Sequence, residues 1–346
     1  MSGKLILGFT RDFFDDEGNF IMPGLGPKVF DGMPNVEWQM LPEYFSEITP
    51  EQASGYDMIM NWYPKWTQKS FKGSDRLISI HRVGVGYDKI DLSAATDAGV
   101  MLCITPKSCR RPMALTVITY LLALSMRLRI KDKITREGRW SERTKYYGVG
   151  LTGKTLGLIG VGNIGHEVFK LAQPFEMKYL AYDPFMSAEA VEDVNAKMVD
   201  LDTLLTESDF ISINCPLNES TRHMIGEREL KKMKKTAFLI NAARGPIIDE
   251  SKLVKALDEG WIQGAGLDVF DQEPVPTHNP LLKMDNVIVS PHFLCHTDEH
   301  FINMWYEMKE QVETILRGGI PDKLVNREVW DTPKLESKLA RLQDRR

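Results

Sequence analysis

Between Thr155 and Phe185 the chain reads TLGLIGVGNIGHEVFKLAQPFEMKYLAYDPF, and these residue types suit one task, holding a dinucleotide. A short apolar run, Thr155–Ile159, leads into Gly160-x-Gly162-x-x-Gly165. A segment with Val168, Leu171 and Ala172 on one face follows, and a second apolar run ends at Asp183. Each part has a physical reason. Gly160 permits the tight strand-to-helix turn, Gly162 lets backbone N–H groups approach a pyrophosphate, and Gly165 lets helix and sheet pack closely. The helix N-terminus favours anionic phosphates. Asp183, eighteen residues beyond Gly165, can accept hydrogen bonds from the adenosine ribose hydroxyls. Its charge would repel a 2′-phosphate, so NAD is expected in preference to NADP. A glycine motif alone says little; the full strand–turn–helix–strand–acid order carries the reading.

Three further segments set chemistry-bearing residues just past expected strands. LINAARGPIIDE puts Arg244 after Ala237–Asn241, GAGLDVFDQEP puts Asp268 at a strand end with Glu273 five residues later, and NVIVSPHFLCHTDE puts His292 after Val287–Val289. Ligands of open parallel sheets bind beyond the carboxyl ends of the strands. An arginine, carboxylates and a histidine at three such ends are therefore expected to converge on one crevice. Each has a plainer use when taken singly: Arg244 in an ion pair, Glu273 closing a turn before Pro274, His292 as a structural histidine. Their joint occurrence beside the dinucleotide fingerprint favours the chemical use.

Positioning these residues takes two α/β modules. The first hundred residues carry short apolar strands at Leu5–Phe9, Val36–Met40, Met58–Asn61, Leu77–Ile80 and Val100–Cys103, separated by helix-compatible stretches. The alternation restarts at Thr155, with strands near Tyr179–Tyr182, Phe210–Ile213, Ala237–Asn241, Ala265–Asp268 and Val287–Val289, and a helix at Glu250–Glu259. Ser108–Arg127 reads as a long helix crossing between modules, and His300–Leu316 as a helix returning the chain to the first. The tail, Thr332–Arg346, has Leu335, Leu339 and Leu342 at helical spacing and reads as a docked surface helix. The expected fold is α/β, with two Rossmann-like, doubly wound parallel-sheet domains. The substrate domain is discontinuous (1–104 and 297–346), and the NAD-binding domain spans 105–296.

Composition sets outer limits. With 346 residues, 43% apolar and 26% charged, the chain can bury sizeable cores, and its net charge of -5 gives no reason to expect nucleic acid as a partner. The N-terminal apolar stretch is too short for a signal peptide, and Met113–Met126 is too short to span a bilayer. No membrane association is expected. The four scattered cysteines lack metal-ligand spacing and suit a reducing cytoplasm; no metal site is expected.

From HRVGVGYDKIDLSAATDAGV (His81–Val100) to about Leu316, the chain resembles the D-isomer-specific 2-hydroxyacid dehydrogenases, with several of that family's motifs in order. SDFISINCPLNESTRHMI (Ser208–Ile225) is similar to the family's strand and cofactor-side loop. The resemblance implies an NAD-dependent interconversion of a D-2-hydroxy acid and a 2-oxo acid. Arg244 would bind the substrate carboxylate, His292 would act as acid/base and touch both substrate and cofactor, and Glu273 would pair with it. Asn163 and Ile164 would contact the pyrophosphate, Cys215 and Ala242, Ala243 and Arg244 would line the nicotinamide side, and Asp268 would meet the carboxamide region. Val83 and Gly84 would offer backbone N–H groups to the substrate carboxylate. The chemistry agrees: histidine titrates near working pH, a neighbouring carboxylate orients the ring and stabilises imidazolium, and arginine holds carboxylates with a planar fork. A homodimer joined through the nucleotide-binding module is expected, with Leu128–Trp140 as an arm.

Several positions depart from the family pattern. Lys107, Arg110, Arg111 and Leu115 are unusual, Asn214 replaces a frequent histidine, and Phe293-Leu294-Cys295-His296 replaces small residues. Trp62, Tyr63 and Trp66 end a first-module strand where substrate-side residues could project. Either a bulky 2-oxo acid or ordinary packing would account for them. A second functional reading is an NAD(H)-sensing, corepressor-like protein of the same family.

Overall fold

Strict alternation along short parallel strands decides which face of each sheet a residue joins. The computed structural model describes residues 4–343, so the last three residues of the tail segment lie outside it. In chain order the elements are β1 (Leu5–Phe9), β2 (Val36–Met40), α1 (Pro50–Ser54), β3 (Met58–Asn61), β4 (Ser79–Arg82), α2 (Leu92–Asp97) and β5 (Met101–Ile104). They continue with α3 (Pro106–Ser125), α4 (Leu128–Arg136), β6 (Thr155–Ile159), α5 (Asn163–Ala172), β7 (Lys178–Tyr182), β8 (Ala196–Met198), α6 (Leu201–Glu207), β9 (Phe210–Ile213) and α7 (Glu227–Lys232). The last are β10 (Phe238–Asn241), α8 (Glu250–Asp258), β11 (Gly264–Leu267), β12 (Val287–Val289), α9 (Asp298–Leu316) and α10 (Pro333–Gln343). Among the described residues, no single helix is long and apolar enough to cross a membrane.

The chain divides into two compact units, Met1–Cys109 with His296–Arg346, and Arg110–Cys295. The first unit holds a five-stranded parallel sheet in the order β2-β1-β3-β4-β5. Leu7, Met58, Met60, Met101 and Cys103 join one core with Trp305 and Met308 of α9. Their neighbours Ile59, Ile80 and Leu102 join the opposite core with Ala94 and Ala95 of α2. That division is what a sheet covered on both faces requires. The second unit has a seven-stranded parallel sheet, β12-β11-β10-β9-β6-β7-β8. Leu156, Leu158, Phe210 and Ile240 face one core, and Ile159, Ile211 and Leu239 face the other.

Most expected strands occur where the apolar runs lie, but some boundaries move. β4 begins at Ser79, two residues after the apolar run starts, because pairing with Met58 of β3 sets its register. The short edge strand β8 was not expected; three residues with one face covered leave little periodic signal. α3 starts at Pro106 rather than Ser108. The buried Glu307 carboxylate accepts from the backbone N–H groups of Lys107 (3.2 Å) and Ser108 (3.0 Å), two donors that a helix leaves without internal partners. This bond to α9 keeps the first turn of α3 in the first unit, so the division falls after Cys109 and not after residue 104. The second division precedes His296 instead of residue 297. α3 ends at Ser125, and Arg127 adopts a left-handed φ of 51°.

One buried group couples this fold to pH. His81 of β4 is fully buried, with Nε2 2.9 Å from Ser79 Oγ and Nδ1 2.8 Å from Gln311 Oε1. The Gln311 amide nitrogen donates to Ile104 O at 2.8 Å, so its oxygen accepts and His81 Nδ1 carries the proton. Burial lowers the His81 pKa to about 4, against the Gln311 hydrogen bond. The unfolded chain therefore binds a proton here that the folded chain refuses. Stability is complete above about pH 6.5 and is lost as pH falls from there toward about 4, by about 3 kcal/mol in total. Urea midpoints between pH 7.5 and 4.5 should show this slope, and a folded His81→Gln variant should lack its histidine component. Equal slopes in both proteins would contradict a neutral buried His81.

Candidate active site

In the second unit every expected cofactor or catalytic residue follows the carboxyl end of a strand or opens the next helix. Gly160 and Gly162 follow β6, Asp183 follows β7, and Cys215 follows β9. Ala242, Ala243 and Arg244 follow β10, Asp268 follows β11, and His292 follows β12. The order reverses between β6 and β9, a switch point where the two connections leave in opposite directions and open a crevice.

The glycine turn is built as its spacing requires. Gly160 has φ of 91°, and a Cβ there would lie 2.7 Å from Cys215 N. A Cβ on Gly165 would lie 2.5 Å from Gly160 O, whereas one on Gly162 would face open space. The first-turn N–H groups of Asn163, Ile164 and Gly165, which a helix leaves without internal partners, stand behind that open position. Asp183 is fixed by two backbone donors: Val161 N–H to Oδ2 at 3.0 Å and Phe185 N–H to Oδ1 at 3.0 Å. These features fit a dinucleotide, with the N-terminus of α5 for the pyrophosphate and Asp183 for the ribose. Burial pushes the Cys215 thiol up to about 11, which keeps it protonated near neutral pH.

Two of the catalytic candidates, His292 and Glu273, are joined by a short bond. His292 Nδ1 lies 2.8 Å from Glu273 Oε2, with about a third of each side chain exposed (35% and 33%). The other Glu273 oxygen accepts from Phe270 N–H at 3.1 Å. Burial works against the Glu273 charge. The His292 hydrogen bond and charge, the Phe270 N–H and the Arg244 guanidinium outweigh it, and the carboxyl sits below its ordinary value. His292 has φ of 54°, a conformation costing on the order of 1 kcal/mol or more for a non-glycine residue. Arg244 Nη1 donates to Ala243 O at 2.7 Å, and Asn241 braces the loop by accepting from Ala243 N–H and donating to Arg244 O. Gly245 makes the loops meet: a Cβ there would lie 2.0 Å from the Phe270 carbonyl.

Asp268 is more buried than the spacing suggests. Its Oδ1 accepts from Ser290 Oγ, Phe293 N–H (3.1 Å) and Leu294 N–H (3.4 Å). Tyr120 Oη lies 2.5 Å from Ser290 Oγ, extending the network to α3. Burial raises the Asp268 pKa against these donors and the His292 charge. Among the described residues Oδ2 accepts no hydrogen bond, which leaves it for a carboxamide donor. Tyr120 and Ser290 escaped sequence reading because an apolar helix and a loop serine carry no spacing signal.

In the first unit the structure corrects two expectations. Val83 N–H donates to Asn61 O at 3.0 Å and Gly84 N–H to Thr105 Oγ1 at 2.8 Å, so neither amide is available to a carboxylate. The next two amides, Val85 and Gly86, have no partner among the described residues and replace them as the loop's candidate donors. Trp66 does not project toward a ligand: it is 1% exposed, with its indole N–H on Asn61 Oδ1 at 3.0 Å. Trp62 stacks on Tyr63 and Phe13, and His296 on Phe301. Arg110 and Arg111 pair with buried Glu167 of α5, at 3.6 and 2.7 Å.

Asp12, which carries no motif or spacing signal in the sequence, lies past β1 at the switch point of the five-stranded sheet. It accepts from Tyr63 N–H at 2.8 Å, while its buried Oδ1 has no hydrogen-bond partner among the described residues. Burial raises its pKa.

A family model, D-isomer specific 2-hydroxyacid dehydrogenase, NAD binding domain, matches residues 118–293. The chain belongs to the D-isomer-specific 2-hydroxyacid dehydrogenase family. A glyoxylate reductase of Thermofilum pendens is 44% identical over 262 residues, covering 74% of this chain and 77% of the relative. A glyoxylate reductase of Thermococcus gammatolerans is 40% identical over 329 residues, covering 89% and 98%. The crystal structure of a D-lactate dehydrogenase from Aquifex aeolicus, complexed with NAD and lactic acid, superposes with a TM-score of 0.81 at 27% identity, covering 92% of this chain and 99% of that one.

As a member of this family the protein binds NAD, and the open N-terminus of α5 fits it. Asp183, held by two backbone donors, presents a fixed negative charge that would oppose a 2′-phosphate. Comparing kcat/KM for NADH and NADPH should show a clear preference for NADH that narrows in Asp183→Ala. Equal use of NADPH by the unaltered protein would overturn this role.

Proposed function

We propose that the protein reduces short 2-oxo acids to D-2-hydroxy acids and catalyses the reverse oxidation. His292 is the acid/base, Glu273 its partner and Arg244 the carboxylate ligand. The observation that carries this reading is the 2.8 Å His292–Glu273 pair held beside the Arg244 loop, on the sheet that bears the dinucleotide turn. Bound NAD supplies or accepts the hydride. Glu273 accepts from Nδ1–H, so Nε2 holds the proton that a new alkoxide takes, or receives the one a hydroxyl loses. Arg244 grips the carboxylate with a planar fork and draws charge from the adjacent carbonyl.

Two features favour a short substrate. Trp62 and Trp66 are spent on packing (7% and 1% exposed), and the relatives reported above are named glyoxylate reductases. NADH oxidation with glyoxylate, hydroxypyruvate, pyruvate and phenylpyruvate tests this order: the first two should be turned over best, and a preference for phenylpyruvate would reject it. His292→Ala should lower kcat by ~10²–10⁴-fold with NADH affinity retained, and Glu273→Gln by less. Undiminished turnover in His292→Ala would remove its assigned role.

We also propose a homodimer through the second unit. Met126, Leu128, Trp140 and Tyr147 are 49–75% exposed along and beyond α4, a concentration of apolar surface costly to leave in water. Light scattering should give about twice the 39.4 kDa chain mass, and Trp140→Glu should weaken the assembly. A monomer at micromolar concentration would refute it.

A further inference from the structure

A cleft of about 740 Å³ in the first unit lies among the loop after Trp66, the end of α2 and α10. Five cations line it, Lys69, Lys72, Lys334, Lys338 and Arg341, against two carboxylates, Asp75 and Asp97. Such an excess is unexpected in a chain whose net charge is -5. The cations of α10 are held by backbone carbonyls rather than by acids. Lys334 Nζ donates to Asp97 O (2.7 Å), and Arg341 Nη2 to Asp75 O (2.8 Å).

Lys338 is the most constrained of the five. It is 5% exposed, donates to Leu77 O (2.7 Å) and Ala98 O (2.8 Å), and forms no ion pair among the described residues. An ammonium has three donors, so one remains for the cleft. Burial draws its pKa down to about 8, with the Arg341 and Lys334 charges and against the attraction of Asp75. Carbonyls at the end of α2 favour nearby cations and account for Lys334 and Lys338. They do not account for Lys69 and Lys72, which line the same cleft and form no side-chain hydrogen bond or ion pair among the described residues. What would satisfy all five is an anion with several oxygens, since lysine binds phosphate as a point charge from many directions.

We propose that this cleft is a binding site for a small organic phosphate or diphosphate, separate from the dinucleotide turn. The test uses inorganic pyrophosphate as probe, titrated calorimetrically at constant ionic strength into protein saturated with NADH, so that the N-terminus of α5 is already filled. Saturable one-to-one binding is expected. Lys69→Gln/Lys72→Gln, which alters two side chains free of structural bonds, should weaken it by at least about tenfold, the loss expected for two charge-assisted contacts. NADH affinity and kcat should be unchanged in that variant. Lys235→Gln/Lys283→Gln, removing two exposed lysines of the other unit, should leave pyrophosphate affinity as it was. Absence of saturable binding, no effect of the cleft variant, or equal weakening by the control pair would each overturn the site.

Discussion

The buried carboxylate of Asp268 is the constraint on which the reactive geometry depends. One oxygen accepts from the Ser290 hydroxyl and the Phe293 and Leu294 amides, so the loop after β12 is wrapped around the residue that follows β11. His292 sits inside that loop with a left-handed backbone, a conformation the three hydrogen bonds can impose and a free loop would abandon. A buried charged acceptor is expensive to leave unsatisfied. The loop therefore closes on Asp268, and that closure aims His292 at Glu273. Tyr120 anchors Ser290 from α3, which connects the histidine's position to the core of the unit.

A second constraint is steric. Gly245 touches the Phe270 carbonyl where no side chain could stand, bringing the Arg244 loop against the Phe270–Glu273 turn. Gly160 does the same between the dinucleotide turn and the backbone at Cys215. Parallel strands about 4.8 Å apart end at the same level. Loops that follow them can share a crevice only where glycine lets their backbones approach this closely. Arginine, glutamate and histidine thus reach one place from three strand ends.

Charge is handled differently in the two units. In the second, Glu167 collects Arg110 and Arg111, so those unusual arginines act as ties between α3 and α5. In the first, the α10 cations Lys334, Lys338 and Arg341 donate to carbonyl oxygens and form no ion pair among the described residues. The aromatic residues after β3 are likewise divided by packing. Trp66 is sealed in the core by Asn61 and Phe71, and Trp62 stacks with Phe13 and Tyr63.

Local order along the chain determined the dinucleotide turn, most strands and the Arg244, Glu273 and His292 positions. Each is defined by a residue type at a short, regular offset from an apolar run: three glycines after β6, an acid after β7, a basic or acidic group past a strand end. Periodicity of two marks a strand, and the carboxyl end of a parallel strand is where chemistry must sit. Only the tertiary structure decided what depends on partners far along the chain. Glu307, two hundred residues away, sets the start of α3 and moves the unit boundary. Asn61 and Thr105 occupy the amides of Val83 and Gly84, shifting the candidate donors to Val85 and Gly86. Tyr63 takes one oxygen of Asp12 and leaves the other without a hydrogen bond among the described residues, while Lys338 is stripped of water between Leu77 and Ala98. A hydrogen bond is short-ranged in space and indifferent to distance in sequence, so which donors are already taken is settled only when the strands are paired and the loops are packed.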